Sequence, residues 1–392
     1  MVSGLLAADG TQRSLIFTLA WETMGDLEIR GWNRPPDRLI CELLGAPDLT
    51  HMAVAEPSRN PLIAFVRSPL LRSTVLPPAL LGAHRYLFSP HHFGLRRPVL
   101  TKVRFSRYGK TLQTAARAAG FQDPVVITSD PRIAAFSDLD FAARVVYFAR
   151  DDWACHHAYR SLRSQILKAY EELRARRIDV AAVSNTLLRR LAPTGRALLL
   201  PNGVEPSEWL APGVPPKWFD SLPCPRFLYV GTVDARIDLE WIERITNDFP
   251  EASVVLAGPN RDHTVSRRLA AMPGVTLPGN LYDRADVTSL VLAADVCLLP
   301  HVRSELTEAM DPLKLYEYLA AGRPVVATDL APVRAHSENV VLVSDASQLR
   351  ESIERALTQP AQPEEMRLSF LKRHSWKARA QTLLRFAFAE GS

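Results

Sequence analysis

The alternation of short, continuous apolar runs with amphipathic stretches in the second half of this chain constrains its fold more than any other feature. The runs are FLYVGT (227–232), SVVLAGP (253–259), GVTLPG (274–279), DVCLLPH (295–301), PVVATD (324–329) and VVLV (340–343). They have strand length and no polar alternation, so they suit strands buried on both faces. Between them lie Asp238–Asn247, Asp262–Met272, Asp283–Ala293 and Asp311–Ala321, helical in character and mostly preceded by an Asp able to accept from the first free amides. Such strands joined by helices make a parallel sheet covered on both sides. The first half repeats the alternation less clearly at 14–20, 51–57, 124–130, 143–152, 179–185 and 197–204. Two doubly wound α/β units are therefore expected.

The length of 392 residues agrees with two domains, each large enough to bury its own core. The reading places a first Rossmann-like domain at 1–205, a linker at 206–224, a second domain at 225–375, and a C-terminal helix at 376–392 able to pack back on the first. The linker rests on six prolines and little periodicity between Glu205 and Pro225. A composition 47% hydrophobic and 23% charged excludes a disordered or collagen-like chain. Cys41, Cys155, Cys224 and Cys297 are too scattered for a zinc site or a disulfide framework and are expected as reduced thiols. No run approaches the roughly 20 apolar residues of a spanning helix, and the first residues do not resemble a secretion leader. The expected location is cytoplasmic.

Charge is unevenly placed. Residues 1–205 hold 27 Lys/Arg against 18 Asp/Glu, and no acid occurs between Glu56 and Asp123. That interval contains eleven basic residues, among them Arg104, Arg107 and Lys110 at three-residue spacing. A field of one sign suits an anionic partner, and a basic helical face suits anionic lipid headgroups, so peripheral membrane contact is one expectation. A solvated Arg-rich surface is the plainer alternative. Nucleic acid is not expected as a partner, because no aromatic stacking motif accompanies the charge.

Neither half carries GxGxxG after its first strand, and GxxxxGK[ST], HExxH and GxSxG are absent. Asp138-Leu-Asp140 is the single DxD string, and two carboxylates are too few for an oxygen-ligand metal site without substrate phosphates.

The stretch richest in chemistry is Asp311-Pro-Leu-Lys-Leu-Tyr-Glu-Tyr-Leu-Ala-Ala-Gly322. Asp311 suits an N-cap, Pro312 the first helical position and Gly322 the left-handed residue that ends a helix. Leu315, Tyr318 and Leu319 share one face, and Lys314 and Glu317 share another. A lysine in the first turn opposes the helix dipole unless an anion sits there. A diphosphate at Lys314 with its ribose at Glu317 would fit both residues; a surface Lys–Glu pair is the alternative.

Together with Leu200-Pro-Asn-Gly-Val204, Val230-Gly-Thr-Val233 and Ala294-Asp-Val-Cys-Leu-Leu-Pro300, the string PLKLYEYLAAGRPVVATD resembles glycosyltransferases of the GT-B fold. The bacterial branch with teichuronic acid and xanthan-type exopolysaccharide transferases looks most similar. The resemblance covers about residues 180–345 and is weak before 140. It implies two Rossmann-like domains facing a cleft, the second binding the nucleotide sugar and the first the acceptor. Lys314 then matches a phosphate-contacting position and Glu317 the carboxylate that holds the ribose, with Pro312 and Leu313 beside them. Gly231 and Thr232 begin the loop that approaches the diphosphate, and Arg236 falls where a basic phosphate contact is usual. Gly258, Asn260 and Asn280 lie at strand ends, where ligands of open parallel sheets collect. Many retaining relatives have a second Glu eight residues before Glu317; here that place is Ala309, and Glu305, Glu308 and Asp311 could substitute, though none is in register.

ARVVYFARDDW resembles the strand that delivers a catalytic His or Asp, which singles out Asp151 and Asp152 as the base for the acceptor hydroxyl. Asp152 as a helix cap is the alternative, and His91 and His92 are a second source of a base. Lys314, Arg236 and the helix start would stabilise the leaving diphosphate, the role a metal fills in other transferases, so metal-independent transfer with no cofactor beyond the nucleotide sugar is expected. The expected activity is transfer of a glycosyl unit to a hydroxyl of a glycolipid, polysaccharide or natural product. Its rivals are a sugar-nucleotide epimerase, a nucleic-acid-modifying transferase and a noncatalytic nucleotide-sugar binder.

Overall fold

The computed structural model describes residues 13–57, 82–89, 101–210, 213–281, 283–360 and 362–389. The chain divides into two compact units, Met1–Pro201 with Arg379–Ser392, and Asn202–Ala378.

In the first unit seven strands form one sheet: β1 (Ser14–Thr18), β2 (His51–Ala55), β3 (Arg85–Phe88), β4 (Val125–Thr128), β5 (Arg144–Ala149), β6 (Asp179–Ala182) and β7 (Ala197–Leu199). Their order is β3-β2-β1-β4-β5-β6-β7 and every pairing is parallel. β1 and β2 are buried along their whole length, as continuous apolar runs require. β3 was not expected. It lies at the sheet edge with RYLF mostly half-buried, so it lacks the apolar continuity that marks the central strands. Connection order reverses between β1 and β4, where the crevice of an open sheet forms.

In the second unit β8 (Arg226–Val230), β9 (Ser253–Ala257), β10 (Val275–Gly279), β11 (Val296–Leu299), β12 (Val325–Thr328) and β13 (Val341–Val343) match the six apolar runs one for one. The sheet is again wholly parallel, in the order β10-β9-β8-β11-β12-β13, with its reversal between β8 and β11. Asp238, Asp262 and Asp283 cap the intervening helices, each carboxylate accepting from an amide in the first turn.

Two expectations need correcting. Residues 206–224 are not a separate linker: Trp209 and Phe219 are essentially inaccessible and join the apolar cluster of Leu228, Leu290 and Leu315 in the second unit. The prolines fix the path of a segment that is packed rather than extended. Asp311 is not the N-cap of the helix it precedes. That helix runs Leu313–Ala320, with Pro312 at the cap position and no side chain capping it. Gly322 does take the left-handed conformation beyond its end, at φ 66°. The final helix, Trp376–Phe388, contributes Ala380, Leu383 and Ala387 to the first unit's core, and Arg144 and Arg196 bind its last carbonyls.

Phe219→Ala should lower the unfolding free energy by about 3–5 kcal/mol, the cost of emptying a core site. Denaturant melts check this. A change within about 0.5 kcal/mol, the range of surface substitutions, would mean that the segment is a free connector.

Candidate functional site

The residues expected to bind a donor gather at the carboxyl ends of β8 and β9, beside the reversal between β8 and β11. Gly231 follows β8 with φ 149°, and its amide donates to Ala257 O at 2.8 Å. Gly258 follows β9 with φ 152°, packed so closely that a Cβ there would overlap the Gly231 backbone. A Cβ on Gly231 would overlap the Lys314 ammonium. Only glycine permits both approaches, because the positive φ and the missing side chain are needed together. The result is main chain free of side chains, with an ammonium against it.

Lys314 projects from the first turn of the Leu313–Ala320 helix. Its Nζ donates to Tyr229 Oη at 3.1 Å and lies 4.7 Å from the centre of that ring. Burial pushes the ammonium down to about 7, Arg236 adds to the depression, and Glu317 and Asp234 oppose it. Arg236 lies near this ammonium with its guanidinium engaged by Asp234: Nε to Oδ1 is 2.9 Å and Nη2 to Oδ2 is 2.8 Å. Burial would raise the Asp234 carboxyl, yet the hydrogen bonds from Arg236 hold it below its usual range. His301, two residues beyond β11, is buried and kept neutral, first by burial and then by Lys314 and Arg236.

The helix start is free of a side-chain cap because Asp311 is occupied elsewhere. Its carboxylate accepts from the Asn202 amide at 2.6 Å and from Tyr316 Oη at 3.1 Å, and Asn202 Nδ2 donates to Asp311 O. The PNGV turn thus clasps the residue that would otherwise cap the helix. No side chain caps the first turn, in which the Leu315 amide donates to Pro312 O at 3.0 Å.

Glu317, one turn after Lys314, is 6% exposed and its Oε1 lies 2.5 Å from Arg284 Nη2. Arg284 also donates to Glu208 at 2.7 Å and rests over the Trp209 ring. Burial works against the Arg284 charge, but Glu317 and Glu208 hold it above the usual guanidinium value. A surface Lys–Glu pair is therefore excluded: Lys314 and Glu317 face different partners in a largely buried setting.

Other expected residues are distributed more widely. Thr232 offers its carbonyl to Tyr229 Oη, Pro312 is buried at the cap and Leu313 half-buried. Asn260 is exposed beyond β9. Asn280 is exposed past the edge strand β10, three positions from β11 in the sheet, so the structure does not bring it to the site. Glu308 and Asp311 do not replace the carboxylate missing at Ala309, since Glu308 is held by Arg303 and the Ala331 amide.

In the first unit Asp151 is half-buried after β5, beside a buried Arg150 that pairs with Glu22 at 2.9 Å. Asp152 is wholly buried, with Oδ2 2.6 Å from Arg190 Nε and Oδ1 accepting from the Ala154 amide. An ion pair and a turn hydrogen bond make it structural, which corrects its candidacy as a base. His91 and His92 lie outside the described residues.

Tyr229, Asp234, Arg284, Glu208 and His301 were missed. His301 had a signal, since it ends DVCLLPH, and ligands collect at strand ends. Arg284 and Glu208 had none, because their meeting with Glu317 depends on packing of the presumed linker.

Comparison with known proteins bears on this geometry. Residues 224–359, which carry β8 to β13 and Lys314, match the family described as glycosyl transferases group 1. The second unit is thus similar, over these residues, to group 1 glycosyltransferases. Over 104 residues the chain is 31% identical to a Bacillus subtilis protein described as a teichuronic acid biosynthesis glycosyltransferase, TuaH; the match spans 26% of each chain. Sucrose-phosphate synthase from Thermosynechococcus elongatus superposes with a TM-score of 0.66 at 17% identity, covering 95% of this chain and 98% of that one. An E. coli trehalose-6-phosphate structure bound with UDP-2-fluoro glucose gives 0.65 at 11% identity, covering 96% and 100%. With the two parallel-sheet units, these likenesses make the fold GT-B.

Lys314 supplies a pH test of nucleotide binding. A phosphate beside it favours the charged form, so its pKa rises on binding. Above about 7, binding then takes up a proton and affinity falls with rising pH; below about 7 the lysine is charged in both states and adds no slope. Burial first, then Arg236, Glu317 and Asp234, set its starting value. Titrating UDP at pH 8 in buffers of different ionisation enthalpy should show proton uptake in the native chain and none in Lys314→Arg. Equal heats in both proteins would contradict the assignment.

Proposed function

We propose that the chain transfers a glycosyl unit from a nucleotide diphosphate sugar to a hydroxyl of a glycolipid, growing polysaccharide or natural product. One observation carries this reading. The Lys314 ammonium, an uncapped helix start and the side-chain-free main chain at Gly231 converge beside the β8–β11 reversal, with the Glu317 carboxylate one turn away. A diphosphate with an adjoining ribose has the charge and hydroxyls to use all of them.

In this mechanism Lys314 and Arg236 stabilise the charge that develops on the leaving diphosphate, and Glu317 accepts from ribose hydroxyls. Asp151 is the proposed base for the acceptor hydroxyl, held by the first unit. Transfer is proposed to need no metal, and EDTA should leave turnover unchanged; loss of activity with EDTA and recovery with Mn²⁺ would overturn that part. The likeness to TuaH supports a polysaccharide acceptor. An epimerase would convert the donor with no acceptor present, and a noncatalytic binder would never turn over with any acceptor.

The helix Thr101–Ala118 exposes Arg107 and Lys110, with Arg104 half-buried on it, which supports peripheral contact with anionic lipid. Flotation with anionic but not neutral liposomes is expected, lost in Arg107→Glu/Lys110→Glu; equal flotation with both lipids would refute it. Among the described residues no helix is long and apolar enough to cross a membrane.

The direct test is calorimetry with UDP, GDP, ADP and dTDP on the native chain, Lys314→Ala and Glu317→Ala. One diphosphate should bind preferentially, and Lys314→Ala should weaken it about 10- to 100-fold, the worth of a charged hydrogen bond. Glu317→Ala should weaken it as well. Absence of binding by the native chain would remove the donor site.

A further inference from the structure

We propose that His301 is a further donor-contacting residue, its Nε2–H donating to a phosphate oxygen of the nucleotide diphosphate; this rests on the donor-site reading above. The imidazole is 1% exposed and its Nε2 has no hydrogen-bond partner. An orphaned buried nitrogen costs stability, and a leucine or phenylalanine would fill the same space without that cost. The cost is offset if a ligand supplies the partner.

Position supplies the ligand's identity. His301 stands just past β11, on the far side of the sheet reversal from Gly231, so the two residues flank the crevice. The ring is fixed edge-to-face on Tyr229, with centroids 5.9 Å apart, and Tyr229 is the residue that receives the Lys314 ammonium. The main chain is tied in as well: Ile237 and His301 form a bridge, and the Val302 amide donates to Arg236 O at 2.8 Å. The loop after β8 and the end of β11 therefore hold one another and the imidazole in register.

Burial first, and then the neighbouring basic groups of Lys314 and Arg236, keep the ring neutral. A neutral imidazole between cations has one N–H to give, and the chemistry that satisfies it together with both cations is an oxyanion. A diphosphate has enough oxygens for all three.

The experiment compares UDP with uridine, by calorimetry, on the native chain and on His301→Leu, His301→Gln and His301→Asn, with GDP, ADP and dTDP in parallel. Gln carries an amide N–H close to the place of Nε2, and Asn withdraws it by one methylene. The expected result is at least a tenfold loss of diphosphate affinity in Leu and Asn, near-native affinity in Gln, and uridine binding unchanged in all three. Unchanged diphosphate affinity in Leu or Asn, or equal loss of uridine and UDP, would overturn the role of His301 while leaving the donor site intact. Should the Leu variant fail to fold, the Asn and Gln pair decides. If the native chain binds none of the four diphosphates, the donor site falls and this inference with it.

Discussion

The close approach of two backbones at the ends of β8 and β9 is the constraint on which the rest of the second unit's site depends. Gly258 lies against the carbonyl of Gly231, and the Lys314 ammonium occupies the volume that a Gly231 side chain would fill. A Cβ on Gly258 would meet rigid backbone, one on Gly231 would displace the lysine, and the positive φ of both residues strains any other side chain there. From this follows a floor of main chain at the sheet reversal, flanked by the ends of the two strands that diverge there.

A second set of contacts decides what the helix above the floor can do. Asp311 would cap the helix if left alone; instead it is drawn to the Asn202 amide and Tyr316 hydroxyl. The first turn therefore keeps its amides uncapped and also carries a lysine, two features that cost stability without an anion. Glu317 is held by Arg284, which Glu208 and Trp209 steady in turn. In the proposed function these costs are offset when an anion binds, and the buried histidine with an orphaned nitrogen fits the same reading.

Much of this was legible in the order of residues. All six strands of the second unit announced themselves because strands buried on two faces need continuous apolar runs. Lys314 and Glu317 were legible because the Asp-Pro start, the 3.6-residue period and Gly322 define a helix and its faces. β3 was not, since an edge strand has neither an apolar run nor strict alternation. The expected linker was misread because proline frequency reports a restricted backbone path and says nothing about whether Trp209 and Phe219 find a core.

What the sequence by itself determined is therefore the doubly wound architecture, the strands of its second half and the helix that bears the lysine, all of which follow from periodicity and local backbone preference. Only the tertiary structure decided which charges meet. Arg284 with Glu208 and Glu317, Asn202 with Asp311, Arg190 with Asp152, and His301 with Tyr229 are separated by 33 to 109 residues along the chain, and no local period encodes such pairs. Coulombic and hydrogen-bond energies depend on distance in space and on burial, and packing the core sets both.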